Sequence, residues 1–131
     1  MIFIDSNIPM YLVGAPHANK NAAHRAVELC IERGERMVTS AEVMQEILHR
    51  YSSLRRLDAI QPALEALLGV VDEVFPIEAE DVARARDVLL GRAQMSARDA
   101  LHVAVMKRRR IERIMSFDVD FDAISWIERV Y

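Results

Sequence analysis

Asp5 directly follows Ile2-Phe3-Ile4. A carboxylate at the end of so apolar a run is costly to bury unless it is paired or holds a cation. Three further acids are candidates to join it: Glu46, Asp99 and Asp118. Clustered carboxylates repel one another, and their protons are held more tightly until a cation neutralises the group. Hard oxygen donors of this kind favour Mg²⁺ or Mn²⁺ over zinc. The four histidines, His17, His24, His49 and His102, show no HxxxH or cysteine-paired zinc spacing. The chemistry expected of such a set is a bound divalent cation that activates water.

Each acid also has a local explanation. Thr39-Ser40-Ala41-Glu42 and Ser96-Ala97-Arg98-Asp99 both fit the pattern in which a side chain caps a helix start. Glu42 is read as such a cap, while for Asp99 capping and chemistry stand level. Glu46 lies one turn after Glu42 on the same face. Asp118 fits a turn after a strand as well. His102, one turn after Asp99, is read as packing in or behind the site.

The elements that must position these residues alternate. Ile2 to Ile4 predicts a short buried strand, and Met37 to Thr39 a second. A third lies within Val70 to Ile77, clearest at Val74 to Ile77. A fourth spans Ile114 to Phe117, and Trp126 to Val130 offers a fifth. Helices are expected over Asn7 to Val13, Asn19 to Arg33 with Gly34 as its stop, and Ser40 to Ser52. Three more are expected over Leu54 to Leu68, Ala79 to Leu90 and Ala97 to Arg109. Pro62 predicts a start or a kink in the middle of the Leu54–Leu68 segment. Ala23, Ala26, Val27, Cys30 and Ile31 should share one face of the second helix.

This alternation predicts a three-layer α/β/α fold with a central parallel sheet of four to five strands. Ligands on such sheets gather at the carboxyl ends of the strands. Asp5 and Asp118 reach that edge by strand polarity alone, and Glu46 does if its helix starts there. Asp99 reaches it only if the two consecutive helices, Ala79–Leu90 and Ala97–Arg109, make an outward and a return journey.

The chain has 131 residues, 52% of them hydrophobic, which suits a single domain over 1–131 with its own core and argues against disorder. A net charge of −3 excludes coating of nucleic acid by bulk charge. The lone cysteine, Cys30, cannot form an intrachain disulfide and reads as a buried hydrophobe in a reducing compartment. No apolar run approaches the ~20 residues of a membrane span, and Asp5 interrupts any signal-peptide core, so a cytoplasmic location with no membrane partner is expected.

Four segments together resemble a known family. Ile2-Phe3-Ile4-Asp5-Ser6-Asn7 is similar to the opening of PIN domains, especially VapC-type toxins of toxin–antitoxin pairs. Thr39 to Ile47 resembles their second motif, with its acid on Glu46. Ser96 to Ala104 resembles the third, with Asp99, and Ile114 to Asp122 resembles the fourth, with Asp118. Asp120 or Asp122 share or replace the work of Asp118 in this reading, and Ser6 is a further accessory.

The resemblance implies a Mg²⁺- or Mn²⁺-dependent endoribonuclease whose catalytic and metal-binding residues are Asp5, Glu46, Asp99 and Asp118. It also implies 5′-phosphate and 3′-hydroxyl product ends, a homodimer and a cognate antitoxin that holds the enzyme inactive. It places Asp99 at the active edge. Arg50, Arg55 and Arg56 are the candidates for RNA phosphate contact. Lys107, Arg108, Arg109, Arg110 and Arg113 are the densest basic cluster, and Lys107–Arg110 read first as cations stabilising a helix end. The apolar residues Ala63 to Leu68, with Met10, Tyr11 and Leu12, are divided between partner contact and core. The alternatives are a housekeeping RNA-processing nuclease and a PIN-fold module that binds RNA or protein without cutting. A receiver-like phosphoacceptor domain ranks lower, because no suitable lysine follows the late strand.

Overall fold

The computed structural model describes residues 1–92 and 94–131. Strand β1 (Ile2–Ile4) lies at the centre of a five-stranded sheet of order β3-β2-β1-β4-β5, all pairs parallel. Its companions are β2 (Met37–Ser40), β3 (Glu73–Phe75), β4 (Arg113–Met115) and β5 (Glu128–Val130). Phe3 sits opposite Val38 on one side and Ile114 on the other. β1 and β2 are buried at every position, as parallel strands covered on both faces must be. Burial fades outward, leaving Glu73 and Glu128 exposed on the edge strands.

The helices are α1 (Asn7–Val13), α2 (Ala18–Glu32), α3 (Ala41–Ser53), α4 (Ile60–Val70), α5 (Ala79–Gly91) and α6 (Ala97–Arg109). With the sheet they form the expected three layers, and the core is built on Ile2, Phe3, Ile4, Val38, Ile114 and Met115. None of the helices is long and apolar enough to cross a membrane among the described residues.

The boundaries differ from expectation where prolines and turns intervene. α4 begins at Ile60 rather than Leu54, after a 3-10 turn over Leu57–Ala59. Pro62 thus falls in the first turn, where its missing N–H has no helical partner to lose. β3 stops at Phe75 because Pro76 cannot donate to the ladder. β4 stops at Met115, so Ser116 and Phe117 leave the strand and turn toward the site.

On α2, Ala23, Val27 and Cys30 are buried as expected, but Ile31 is exposed. It is rotated about 100° from Cys30 and points away from the core. Gly34, at φ +63°, ends this helix, and Glu35 N donates to Cys30 O at 2.9 Å. Of the stretch divided between core and partner contact, Ala63 and Leu67 are buried and Leu68 is exposed, while Met10, Tyr11 and Leu12 pack partly against the core.

Two features of the topology build the site. The chain adds β2 and β3 on one side of β1, then crosses to add β4 and β5 on the other. The strand order therefore reverses between β1 and β4, the position where α/β sheets open a crevice. α5 and α6 supply the second feature. Asp81 at the start of α5 is fully buried and accepts from Arg108 Nε at 2.6 Å and Nη2 at 2.8 Å, at the end of α6. The helices consequently run antiparallel, and α6 starts at the same edge as the carboxyl ends of β1 and β4.

That tie also accounts for the densest basic cluster. Arg108 is committed to Asp81, Lys107 lies 4.7 Å above Trp126, Arg109 lies 4.4 Å above Phe75, and Arg113 is paired with Glu35. Lys107, Arg108 and Arg109 are thus cations of the last turn of α6, as the first reading of Lys107–Arg110 expected, while Arg113 belongs to β4.

Candidate active site

One cleft at the carboxyl edge, about 510 Å³, is lined by Asp5, Glu46, Asp99, Asp118 and Asp120, with Ser6, Asn7, Arg50 and Arg98. All four principal acids named from the sequence therefore meet there. Asp5, Glu46 and Asp99 are buried, Asp118 is half-buried and Asp120 exposed. The acids fall into two groups: Asp5 with Glu46 and His102, and Asp99 with Asp118 and Asp120. Within each, ligand atoms lie within 4.8 Å of one another.

Asp5 is fixed by the two strand ends. Its Oδ1 accepts from Ser6 N at 2.7 Å, and its Oδ2 accepts from Ser116 Oγ at 2.6 Å and from Asn7 Nδ2 at 3.3 Å. Ser116 Oγ in turn accepts from Asp118 N at 3.0 Å, and Asn7 Oδ1 accepts from Phe117 N at 3.3 Å. Asn7 thus bonds locally to Asp5 and also ties the β1 loop to the β4 loop through Ser116 Oγ and Phe117 N. Asp118 Oδ1 accepts from Asp120 N at 2.9 Å, which fixes the turn after β4.

Glu46 projects from α3 with His102 Nε2 at 3.4 Å from its Oε1. Arg50 Nε lies 3.4 Å and Arg98 Nη1 3.9 Å from its Oε2. Burial by itself raises a carboxyl pKa, but the hydrogen bond and charge of His102, with Ser6 and Arg50, hold Glu46 down at about 2. Asp99 shows the opposite result. Burial, then the negative charges of Asp5 and Asp118 against a weaker pull from His102, raise it to about 6. Burial also pushes Asp5 up, in spite of His102 and Ser116. His102 is fully buried, which disfavours its charge, yet Glu46, Asp5 and Asp99 together raise its pKa.

Asp99 opens α6, and its backbone N donates to the capping hydroxyl of Ser96 at 3.1 Å. The sequence left capping and chemistry level here. Ser96 makes the cap, and the Asp99 carboxylate lines the cleft. Glu42 is a correction: Ser40 makes no side-chain cap and its buried hydroxyl has no partner among the described residues, while Glu42 accepts from Arg98 Nε at 3.1 Å. Asp122 is not brought to the cleft. Its carboxylate is held by Arg129 at 2.9 and 3.0 Å. Of the three arginines marked for phosphate contact, Arg50 lines the cleft, Arg56 pairs with Asp58 at 3.1 Å, and Arg55 is exposed with φ +54°.

The reading from sequence missed Ser116 and Arg98. Ser116 carries a signal: it is a hydroxyl inside the apolar run Ile114-Met115-Ser116-Phe117. Arg98 has none beyond standing next to Asp99.

The donor set fits a hard divalent cation. Carboxylate oxygens dominate the cleft, and burial with like charge holds Asp99 near 6, a condition that a cation would relieve. His102 Nε2 is turned to Glu46 and braces it from behind, while its Nδ1 has no hydrogen-bond partner among the described residues.

Comparison with known proteins bears on this arrangement. The PIN domain family model matches residues 2–127. The chain is 58% identical over 130 residues to Ribonuclease VapC13 of Mycobacterium tuberculosis, covering 99% of both chains. The crystal structure of Mycobacterium tuberculosis VapC20, a sarcin-ricin loop cleaving toxin, superposes with a TM-score of 0.82 at 26% identity over all of both chains. VapBC2 from Rickettsia felis, bound to a promoter DNA fragment, has the same fold with a TM-score of 0.74 at 16% identity, again over all of both chains.

Proposed function

This chain belongs to the PIN domain family, and we propose that it is a metal-dependent endoribonuclease, the toxin of a toxin–antitoxin pair, acting through Asp5, Glu46, Asp99 and Asp118. The observation that carries this reading is the meeting of those four acids in one cleft at the switch point of the sheet.

Asp5, Asp99 and Asp118, with Glu46 behind them, would hold Mg²⁺ or Mn²⁺. A cation bound there polarises a phosphate oxygen and lowers the pKa of a water. The protein's own residues do the rest. Ser116, Ser6 N and Asn7 aim both oxygens of Asp5. Glu46, ionised and braced by His102, accepts a hydrogen bond from the attacking water and orients it. Arg50, at the rim beside Asn7 and Asp118, holds a phosphate of the strand. The products carry 5′-phosphate and 3′-hydroxyl ends.

The kinship with VapC13 and the shared fold of VapBC2 support a cognate antitoxin as the partner. Leu54 and Leu57, in the connection between α3 and α4, and Leu68 on α4 leave apolar surface exposed, which supports a homodimer.

The test is cleavage of total cellular RNA with Mn²⁺ or Mg²⁺, followed by mapping of product ends. Cleavage should stop with EDTA and in Asp5→Asn. Intact RNA with the wild-type chain and either cation would refute the proposal.

A further inference from the structure

A second cavity, about 520 Å³, opens beside the carboxylates and shares Asn7, Arg50 and Asp118 with their cleft. Its far wall is aromatic. Tyr11 stands at the centre, 5.2 Å from the His17 ring at 32° and 5.3 Å from the Phe117 ring at 78°. Tyr11 and Phe117 are only half-buried and His17 is exposed. Tyr11 and Phe117 pack partly against the core yet leave ring surface open to the cavity.

They are also held in place. His17 Nδ1 accepts from Asn19 N at 3.0 Å as the cap of α2, and Phe117 N donates to Asn7 Oδ1. The platform is therefore pre-formed, as ligand sites generally are.

We propose that this cavity is a subsite that binds the nucleobase adjoining the scissile phosphate, against the rings of Tyr11, His17 and Phe117. The inference rests on the ribonuclease reading and adds a subsite to it. A strand with one phosphate at the carboxylates that runs over the shared wall of Asn7, Arg50 and Asp118 brings its neighbouring base to the rings. Arg50 is the exposed cation at that junction, and Tyr11, His17 and Phe117 offer faces on which any base stacks. A base inside a duplex is already stacked and cannot enter without leaving its pair.

The experiment uses the full chain with Mn²⁺, an unstructured labelled RNA oligonucleotide, and a set of the same strand each lacking one base. The intact strand should be cut. One abasic strand, missing the base next to the cut, should show KM raised about tenfold with little change in kcat. Tyr11→Leu should raise KM about tenfold on intact RNA and be indifferent to that missing base, while Tyr11→Phe behaves as wild type. The abasic set needs no variant, so it decides the matter even if Tyr11→Leu fails to fold. Equal KM for every abasic strand overturns the subsite and leaves the ribonuclease reading standing. So does a Tyr11→Leu chain that escapes a protein inhibitor but keeps its KM for RNA, which would make the cavity a seat for that protein. No cleavage of any RNA by the wild-type chain, with Mn²⁺ or Mg²⁺, overturns both.

Discussion

Asp99→Asn should stabilise the metal-free protein while destroying its response to metal. The ordinary carboxyl value for this residue is 3.8, and in the fold burial with the charges of Asp5 and Asp118 raises it to about 6. A raised carboxyl binds its proton more tightly in the folded state than in the unfolded one, so its favourable contribution is complete below about 3.8 and is lost as pH rises through about 6. Above that, the ionised side chain opposes folding by about 3 kcal/mol, the equivalent of the shift. Asparagine has nearly the same shape and no charge to bury. In urea denaturation with EDTA at pH 7.5 the variant should gain up to about 3 kcal/mol, or roughly 10 °C in Tm for a chain of this size. At pH 5 the gain should shrink to roughly half, because the folded wild type is then mostly protonated there. Addition of Mn²⁺ should raise the wild-type Tm and leave the variant's almost unmoved. The electrostatic account of Asp99 would be refuted by a variant no more stable than wild type in EDTA at pH 7.5, or by an advantage independent of pH.

Three further outcomes follow from the same geometry. Mn²⁺ affinity, measured by calorimetry, should fall at least tenfold between pH 7 and pH 5 as Asp99 takes up its proton near 6, roughly the change in its ionised fraction; a flat profile would count against Asp99 as a ligand. Arg50→Ala should weaken binding of RNA by the metal-free chain and reduce the salt dependence of that binding by about one unit of slope, as loss of one phosphate contact requires; an unchanged slope would remove Arg50 from the RNA path. Asp81→Ala should cost about 3–5 kcal/mol, read by urea denaturation, because it strands Arg108, only 15% exposed, without its partner. Cleavage per folded molecule should stay at the wild-type level, since Asp81 lies at the far end of the α5–α6 pair from the acids.

How far the site could be read from sequence depended on how local its causes are. Asp5 and Asp118 follow from strand polarity, because any residue just after a parallel strand lies at its carboxyl edge. Glu46 is separated from Glu42 only by family resemblance, since both share a face of α3 and either would suit an acid. The structure divides them by partner: Glu42 goes to Arg98 and Glu46 to His102. Asp99 was the hard case. Its position depends on α5 and α6 running antiparallel, which the buried Asp81–Arg108 pair records across 27 positions of chain. No periodicity in either helix announces that tie. Ser116 left only the signal of a hydroxyl in an apolar run, and the reach of Asn7 and Ser116 across the site could not be read, because each also acts on a residue more than a hundred positions away.

The distribution of cations across the cleft is uneven, and this bears on how it works. Glu46 has His102, Arg50 and Arg98 within 3.9 Å and stays ionised at any working pH. Asp99, Asp118 and Asp120 have no ion-pair partner among the described residues, and the Asp99 carboxyl is raised to about 6. A divalent ion entering the cleft gains most where negative charge is least compensated, on the Asp99 and Asp118 side within reach of Asp5. Glu46 needs the ion least and has its charge already secured, which suits orienting a water more than serving as a principal ligand; a carboxylate held near 2 is a weak base. The sequence cannot distribute these roles, because all four acids are the same kind of group. The asymmetry comes from α3 carrying Arg50 and α6 carrying both Arg98 and His102 toward Glu46, while the turn after β4 brings Asp118 and Asp120 with no cation of their own.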